Sequence, residues 1–226
     1  MSPLPLDGHR PGPGCRSVAS GTRRFACPYT HRWISPPQLM KLSAVILAGG
    51  ESRRMGADKA WLSVSGQPLL NRALGTVREL GAVEVFISGR PGVDYSSLNC
   101  PVLLDPQPGL GPLAGIERSL GAAGSPLLLV LAVDLPRMTT LFLRQLLEHC
   151  EPAAGVVPVL HGQFEPLAAI YPGRCHAVAH EFLAQSRYAV RDFAAACQLQ
   201  RFVRAYAVSS DDAGCFANWN QPSEVA

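Results

Sequence analysis

The sequence predicts a single three-layer α/β/α domain with a mostly parallel sheet, and three observations carry this prediction. From Met40 onward, short apolar runs of strand length alternate with segments whose apolar residues recur at helical spacing. The predicted strands are continuously apolar, which is typical of a parallel sheet covered on both faces. With 226 residues, 47% hydrophobic and 16% charged, the chain can bury one large core and is not a wholly disordered protein.

The first half of this body predicts a regular alternation of strands and helices. Ser43–Leu47 is a buried strand that leads directly into a glycine-rich segment. Pro68 opens a helix in which apolar residues keep 3.6-residue spacing until Gly81 ends it. The elements predicted next are a strand over Val83–Ser88, a strand over Val102–Leu104, a helix over Gly111–Leu120, a strand over Leu127–Val133 and a helix over Leu141–Cys150.

The second half is less regular, and a hairpin turn is predicted at Gly162. No internal repeat and no linker is visible after residue 41, so residues 41–226 are expected to form one domain. The predicted elements are strands over Val156–Val159 and Pro166–Tyr171, helices over Cys175–Ala184 and Val190–Cys197, and a late strand over Phe202–Val208.

Residues 1–40 differ from the body in composition. They hold seven prolines and four glycines without a hydrophobic period, so they cannot bury enough apolar surface to offset the entropy of ordering. We therefore expect residues 1–40 to be a disordered extension, either the product of an upstream start or a dispensable segment. An arginine-rich, acid-poor start is also compatible with a transit peptide.

The charge distribution, the hydropathy and the cysteine spacing argue against several classes of protein. Five arginines and the single acid Asp7 give residues 1–40 a charge of +4, which leaves −1 for the body out of a total of +3. The body therefore has no electrostatic footprint for nucleic acid. No apolar run reaches the roughly 18 residues that span a bilayer, so no membrane partner is expected. The seven cysteines form no CxxC motif, which argues against structural zinc or a disulfide framework and favours the reducing cytoplasm.

The glycine-rich segment after the first strand, LAGGESRRMGADK from Leu47 to Lys59, has the composition of a phosphate-binding loop. Glycines let backbone N–H groups approach a polyphosphate closely, and Arg54 and Lys59 can neutralise its charge. The segment is neither a Walker A loop nor a dinucleotide fingerprint, because the spacing of its glycines fits neither pattern.

This segment closely resembles the signature loop of the molybdenum cofactor guanylyltransferases, within a wider family of nucleotidyltransferases with a Rossmann-like fold. The resemblance covers residues 42 to about 224. It implies that Leu47, Ala48 and Gly49 touch the base and ribose of a nucleotide, while Lys59 contacts its phosphates with Arg54 as a helper. The double glycine resembles the guanylyl branch, since cytidylyl relatives more often have Leu-Ala-Ala-Gly.

Two aspartates extend the resemblance. Asp105, in LLDPQPGLGPLAGI, resembles the family's aspartate before the GPLAGI element, and Asp134, in LVLAVDLPRM, resembles its metal-binding aspartate. The context of Asp134 also makes physical sense, because seven apolar residues end in one carboxylate at the carboxyl edge of the predicted sheet, where ligand crevices open. Without the motif, Asp134 fits a turn or a helix N-cap before Pro136 about equally well.

Two later segments and one departure complete the comparison. FEPLAAIY and the terminal NWNQPSE resemble family elements near the acceptor and the metal, and Asn218 or Asn220 could supply a hard oxygen or form a turn. After the second strand the family often places an asparagine near the base. Here Ser88 stands in the corresponding stretch and could hydrogen-bond in its place.

The resemblance implies a magnesium-dependent transfer of GMP from GTP to the molybdenum–molybdopterin cofactor, with release of pyrophosphate. Lys59, Arg54 and Asp134 would be the catalytic residues, and Asp134 would bind Mg²⁺. The expected partners are GTP, the molybdenum cofactor and its delivery proteins, with the chain a monomer or weak oligomer. A related transferase with another acceptor or nucleotide, such as a molybdopterin cytidylyltransferase, and a non-catalytic nucleotide-binding relative remain alternatives.

Several other histidines, cysteines and arginines have no motif that indicates a specific role. His176 and His180 have i,i+4 spacing but lack the central glutamate of a zincin, so they are expected on a solvated helix face. Cys150 and Cys197 are expected to act as small apolar residues in helices. Four arginines could line an acceptor pocket or simply lie on the surface: Arg187, Arg191, Arg201 and Arg204.

Overall fold

The computed structural model describes residues 41–49, 59–64, 66–104 and 109–217, with only the backbone of Lys59. All of them belong to one compact unit. The expected N-terminal extension lies outside the described residues, as does most of the glycine-rich segment. The predicted site residues Arg54, Asp105, Asn218 and Asn220 also lie outside them.

The described residues form ten strands and five α-helices. The strands are β1 Leu42–Leu47, β2 Ser63–Val64, β3 Gln67–Pro68, β4 Glu84–Gly89, β5 Val102–Leu104, β6 Leu127–Ala132, β7 Gly155–Leu160, β8 Gln163–Phe164, β9 Ala168–Pro172 and β10 Val203–Ala207. The helices are α1 Leu69–Glu79, α2 Pro112–Ala122, α3 Thr140–Glu148, α4 Cys175–Ala184 and α5 Val190–Leu199.

One mixed, mostly parallel sheet organises the fold, as predicted. Its strand order is β10–β7–β9–β6–β1–β4–β5, and β8 pairs with the outer part of β7. Strands β1, β4, β5 and β6 are mutually parallel, whereas β9 runs antiparallel to both β6 and β7. Strands β7 and β10 run parallel to each other and in the same direction as β6. All strands of the main path except β9 therefore end at the same edge of the sheet, which we call the carboxyl edge. The opposite side is the amino edge.

Helices cover both faces of the sheet, because the buried strands present alternate side chains to each face. In β1, Ala44 and Ile46 belong to the core beneath α1 and α3. Val45 and Leu47 belong to a second core beneath α2, α4 and α5. All six residues of β1 are buried, which explains why its sequence is continuously apolar.

The predicted elements are confirmed to within about two residues at their ends, but the hairpin at Gly162 is different from the prediction. The turn joins β7 to β8 instead of joining β7 to the strand that begins near Pro166. Its two central residues, His161 and Gly162, have φ values of 49° and 78°, which suit a tight two-residue hairpin. The short β2–β3 hairpin was not predicted.

Within the described ranges no helix is long and apolar enough to cross a membrane.

Candidate nucleotide-binding site

The end of β1 is fixed between the ends of β4 and β6. The amide of Ala48 donates a hydrogen bond to the carbonyl oxygen of Ser88, at 2.9 Å, and the amide of Val133 donates to the carbonyl of Leu47, at 3.2 Å. The chain runs from β1 through β4 to β5 on one side and then returns to β6 on the other side of β1. This reversal is a topological switch point, where open α/β sheets bind ligands beyond the carboxyl ends of their strands.

The structure brings Leu47, Ala48, Gly49 and Ser88 together at this switch point. Leu47 and Ala48 are buried, whereas Gly49 is exposed. A Cβ on Gly49 would lie 3.6 Å from the carbonyl oxygen of Ser88, so the backbone of the loop crosses directly over the end of β4. Of the predicted base-contacting residues, Gly49 is therefore the one whose backbone is exposed at the carboxyl edge, directly after the buried Leu47 and Ala48.

Ser88 itself is 4% exposed, and its hydroxyl packs against α2. A Cβ on Gly115 of α2 would clash with the Ser88 hydroxyl and would lie 3.2 Å from Cδ2 of Leu47. The second glycine of the GPLAGI element, Gly115, thus allows α2 to approach the ends of β1 and β4 closely. Gly115 is a part of the site scaffold that the sequence interpretation did not single out.

The backbone of Lys59 is also held near this edge. Lys59–Trp61 forms a 3₁₀ helix, in which Ala60 is fully buried. Trp61 stacks on Tyr95 with 6.3 Å between ring centroids. Tyr95 packs in turn against Gly89 at the end of β4, where a Cβ would lie 2.6 Å from the Tyr95 ring. This chain of contacts ties the start of the Lys59 segment to the strand that carries Ser88.

Asp134 lies two residues beyond β6, at the carboxyl edge, and is half-buried. It borders a cavity of about 400 Å³ between the end of β6, the segment before β9 and the start of α5. The amide of Ala132 donates to the carbonyl of Leu167, at 2.8 Å, and joins two walls of this cavity. The lining residues are Ala132, Asp134, Leu135, Glu165, Pro166, Leu167, Ala168, Ala189, Val190 and Arg191.

Glu165 and Arg191 both line this cavity and form an ion pair, with 3.5 Å between Arg191 Nη2 and Glu165 Oε1. Burial raises the pKa of the Glu165 carboxyl, and the neighbouring guanidinium of Arg191 opposes that shift. The sequence interpretation gave Glu165 no role of its own. The signal available was its position before Pro166 in the FEPLAAIY segment.

The four candidate arginines separate into different environments. Arg191 borders the Asp134 cavity, whereas the guanidinium of Arg187 lies over the Phe182 ring, 3.8 Å from its centroid. Arg201 and Arg204 line a different cavity of about 660 Å³ at the amino edge. Only Arg191 among these four therefore borders the described cavity beside Asp134.

Two cysteines and two histidines were expected to have no part in the site. Cys197 is fully buried in α5, and burial raises the pKa of the Cys150 thiol to about 12, so both serve as apolar side chains. His176 and His180 lie on one face of α4 and both contact Glu117 Oε1 of α2, at 3.1 and 3.2 Å. His176 is partly exposed and His180 is exposed, as expected for a solvated face, but both pair with Glu117 of the neighbouring helix.

The mostly parallel sheet and its switch point define a Rossmann-like α/β protein, a fold in which ligands bind beyond the carboxyl ends of the strands. The family model of the MobA-like NTP transferase domain matches residues 44–212. The chain belongs to this family and is a nucleotidyltransferase.

Two relatives named probable molybdenum cofactor guanylyltransferase are similar over most of their length. The one from Opitutus terrae is 38% identical over 186 residues, which is 81% of this chain and 92% of the relative. The one from Pelotomaculum thermopropionicum is 35% identical over 194 residues, which is 83% and 91% of the two chains.

Solved structures support the fold. The molybdopterin-guanine dinucleotide biosynthesis protein A from Archaeoglobus fulgidus superimposes with a TM-score of 0.62 and 21% identity, covering 81% of this chain and 94% of that chain. The 2-C-methyl-D-erythritol 4-phosphate cytidylyltransferase from Thermus thermophilus gives 0.63 and 21%, covering 82% and 96%.

Proposed function

We propose that this enzyme transfers GMP from GTP to the molybdenum–molybdopterin cofactor, which gives molybdopterin guanine dinucleotide and pyrophosphate. The observation that carries the proposal is the position of Asp134 beside the switch point formed by β1 and β6, with Leu47–Gly49 on the neighbouring strand end. The names of the relatives at 38% and 35% identity support GTP and molybdopterin as the substrates.

The chemistry requires alignment and charge neutralisation rather than a protein nucleophile. An oxygen of the acceptor's terminal phosphate attacks the α-phosphorus of GTP and forms the new P–O bond. The bond from the α-phosphorus to the bridging oxygen breaks, and its electron pair leaves with pyrophosphate. Lys59 and Arg54 would stabilise the charge on the transferred and leaving phosphates.

The base and ribose of GTP would lie over Leu47, Ala48 and Gly49, where the backbone crosses the end of β4. Ser88 supports this surface, since its carbonyl oxygen accepts the hydrogen bond from the Ala48 amide. Asp105, the next residue in the sequence after β5, would contact the nucleotide next to these residues.

The residues present are compatible with Mg²⁺. Asp134 offers hard carboxylate oxygens at a half-buried position, the ligand type that Mg²⁺ prefers. Among the described residues, no three His, Cys, Asp or Glu side chains are grouped to hold a metal. Mg²⁺ is commonly bound by one or two carboxylates together with substrate phosphates and water, so Asp134 would suffice as its protein anchor. When bound, Mg²⁺ would act as a Lewis acid on phosphate oxygens.

The test is nucleotide-dependent pyrophosphate release by the purified full chain with Mg²⁺. We expect release with GTP that depends on added molybdenum cofactor, and little with CTP or ATP. Release with CTP in preference to GTP would instead identify a cytidylyltransferase. Nucleotide binding by calorimetry without any release would identify a non-catalytic relative.

A further inference from the structure

Among the described residues that line the cavity beside Asp134, Arg191 is the one cation, and it lies with the carboxylates of Asp134 and Glu165. Its guanidinium is therefore the lining group that can bind an anion there. Arg191 is the second residue of α5, and its side chain is 56% exposed. Its Nε donates a hydrogen bond to the carbonyl oxygen of Phe164, at 3.1 Å, which fixes the orientation of the guanidinium. The terminal nitrogens are thereby directed toward the segment that carries Glu165.

The contact with Glu165 is weak enough to be exchanged. At 3.5 Å it is longer than an ordinary N–H···O hydrogen bond, and a guanidinium has five N–H donors in all. Glu165 is itself held in place, because its amide donates to the carbonyl of Pro158 at 2.8 Å. A phosphate can accept two parallel hydrogen bonds from a guanidinium, which is a stronger arrangement than this single stretched ion pair.

We propose that Arg191 binds the reacting phosphate of the acceptor, and that Glu165 is a positioning residue that holds the guanidinium until the acceptor replaces it. The inference rests on the proposed function and specifies its acceptor side. Because Arg191 and Asp134 line the same cavity, a phosphate on Arg191 would share that cavity with the carboxylate assigned to the metal.

The chain offers a matched control in Arg204 and Glu151. This pair has 2.6 Å between Arg204 Nη2 and Glu151 Oε1, and the Arg204 side chain is 57% exposed. It lies at the amino edge, where the described lining residues of the neighbouring cavities include no residue assigned to the nucleotide. An effect that comes only from losing an exposed arginine should therefore appear in both Arg191→Gln and Arg204→Gln. An effect that comes from lost acceptor binding should appear only in Arg191→Gln.

The experiment measures steady-state transfer by the full chain as a function of acceptor and of GTP concentration. We expect Arg191→Gln to raise the acceptor KM about 10- to 100-fold, the range for a lost hydrogen-bonded charge, with the GTP KM unchanged. Arg191→Lys should recover part of this loss. Glu165→Gln should lower the acceptor KM about 2- to 5-fold, the size of a partly exposed ion pair. This gain should vanish when Arg191→Gln is also present, and Arg204→Gln should match the wild type.

A second measurement does not depend on turnover. Inorganic phosphate is titrated into the GTP-saturated protein by calorimetry, and we expect an Arg191-dependent binding event that Arg204→Gln retains. Equal phosphate binding by wild type and Arg191→Gln, or an unchanged acceptor KM, would overturn the role of Arg191. Arg191-dependent phosphate binding without any transfer by the wild type would support the anion site and contradict the proposed function.

Discussion

The carboxyl and amino edges of the sheet use the same residue types in different surroundings. Each edge has a cavity bordered by an arginine–glutamate pair, Arg191–Glu165 at one and Arg204–Glu151 at the other. At the carboxyl edge the glutamate is more buried, the contact is longer and Asp134 lies in the same cavity. At the amino edge both partners are exposed and the contact is short. A solvent-exposed ion pair contributes little free energy, and at a short distance the charged groups hydrogen-bond to each other. In the longer pair inside the cavity, the guanidinium can still donate hydrogen bonds to a ligand.

The largest effect is expected from removing the charge at the carboxyl edge. Asp134→Asn should lower kcat for GMP transfer at least about 100-fold, because the carboxylate that would hold Mg²⁺ beside the reacting phosphates is lost. Circular dichroism and the melting temperature should be unchanged, since Asp134 lies outside the strand. The matched change Glu151→Gln at the amino edge should leave kcat unaffected. Near-normal turnover in Asp134→Asn would contradict the assigned role.

The next effect concerns stability at the amino edge. A Cβ on Gly155, at the start of β7, would clash with the backbone carbonyl of Ile170 on β9. Gly155→Ala should therefore destabilise the fold by about 3 kcal/mol and lower Tm by roughly 6–12 °C. Gly173→Ala is the control, because nothing lies within 4 Å of a Cβ there. The two variants are compared by thermal unfolding, and equal Tm values would show that β9 does not constrain Gly155.

A smaller effect is expected at Gly49. A methyl group there meets the Ser88 carbonyl oxygen at an ordinary contact distance of 3.6 Å, so the fold should accept Gly49→Ala without a change in Tm. The methyl would nonetheless occupy the surface assigned to the base. We expect GTP affinity to fall about 3- to 10-fold by calorimetry, roughly 0.7–1.4 kcal/mol. Unchanged affinity for GTP and CTP alike would place the base elsewhere.

No effect is expected from removing residues 1–39. The body begins its core at Leu42, which is 2% exposed, and the extension has no pattern that could add to that core. A protein that starts at Met40 should have the Tm and transfer rate of the full chain. A large loss in either measurement would show that the extension takes part in folding or catalysis.

Sequence pattern was sufficient for the elements that the core defines. The continuous apolar runs of β1 and β6 located both strands, since only strands covered on both faces need such runs. The direction of β9 could not be inferred, because burial of Ala168–Pro172 is the same for a parallel or an antiparallel strand. The end of the hairpin was misplaced for a related reason. Gly162 marks a turn, but a two-residue strand such as β8 has too few residues for a periodicity.

For the candidate site, sequence pattern indicates positions along the chain but not the contacts that form after folding. The position of Asp134 at the carboxyl edge could be predicted, because a single carboxylate after seven apolar residues stands out in the sequence. Arg191 could not be separated from Arg187 or Arg204, since the difference lies in what each guanidinium meets after folding. Likewise, the pairing of Glu117 with His176 and His180 depends on how α2 packs against α4, which helix periodicity does not specify.

The most direct test of the carboxyl-edge site is a crystal structure of the full chain with GTP and Mg²⁺. The account predicts the guanine over Leu47–Gly49, the triphosphate beside Lys59 and the metal on Asp134. A nucleotide bound in the amino-edge cavity, or a metal without contact to Asp134, would contradict it.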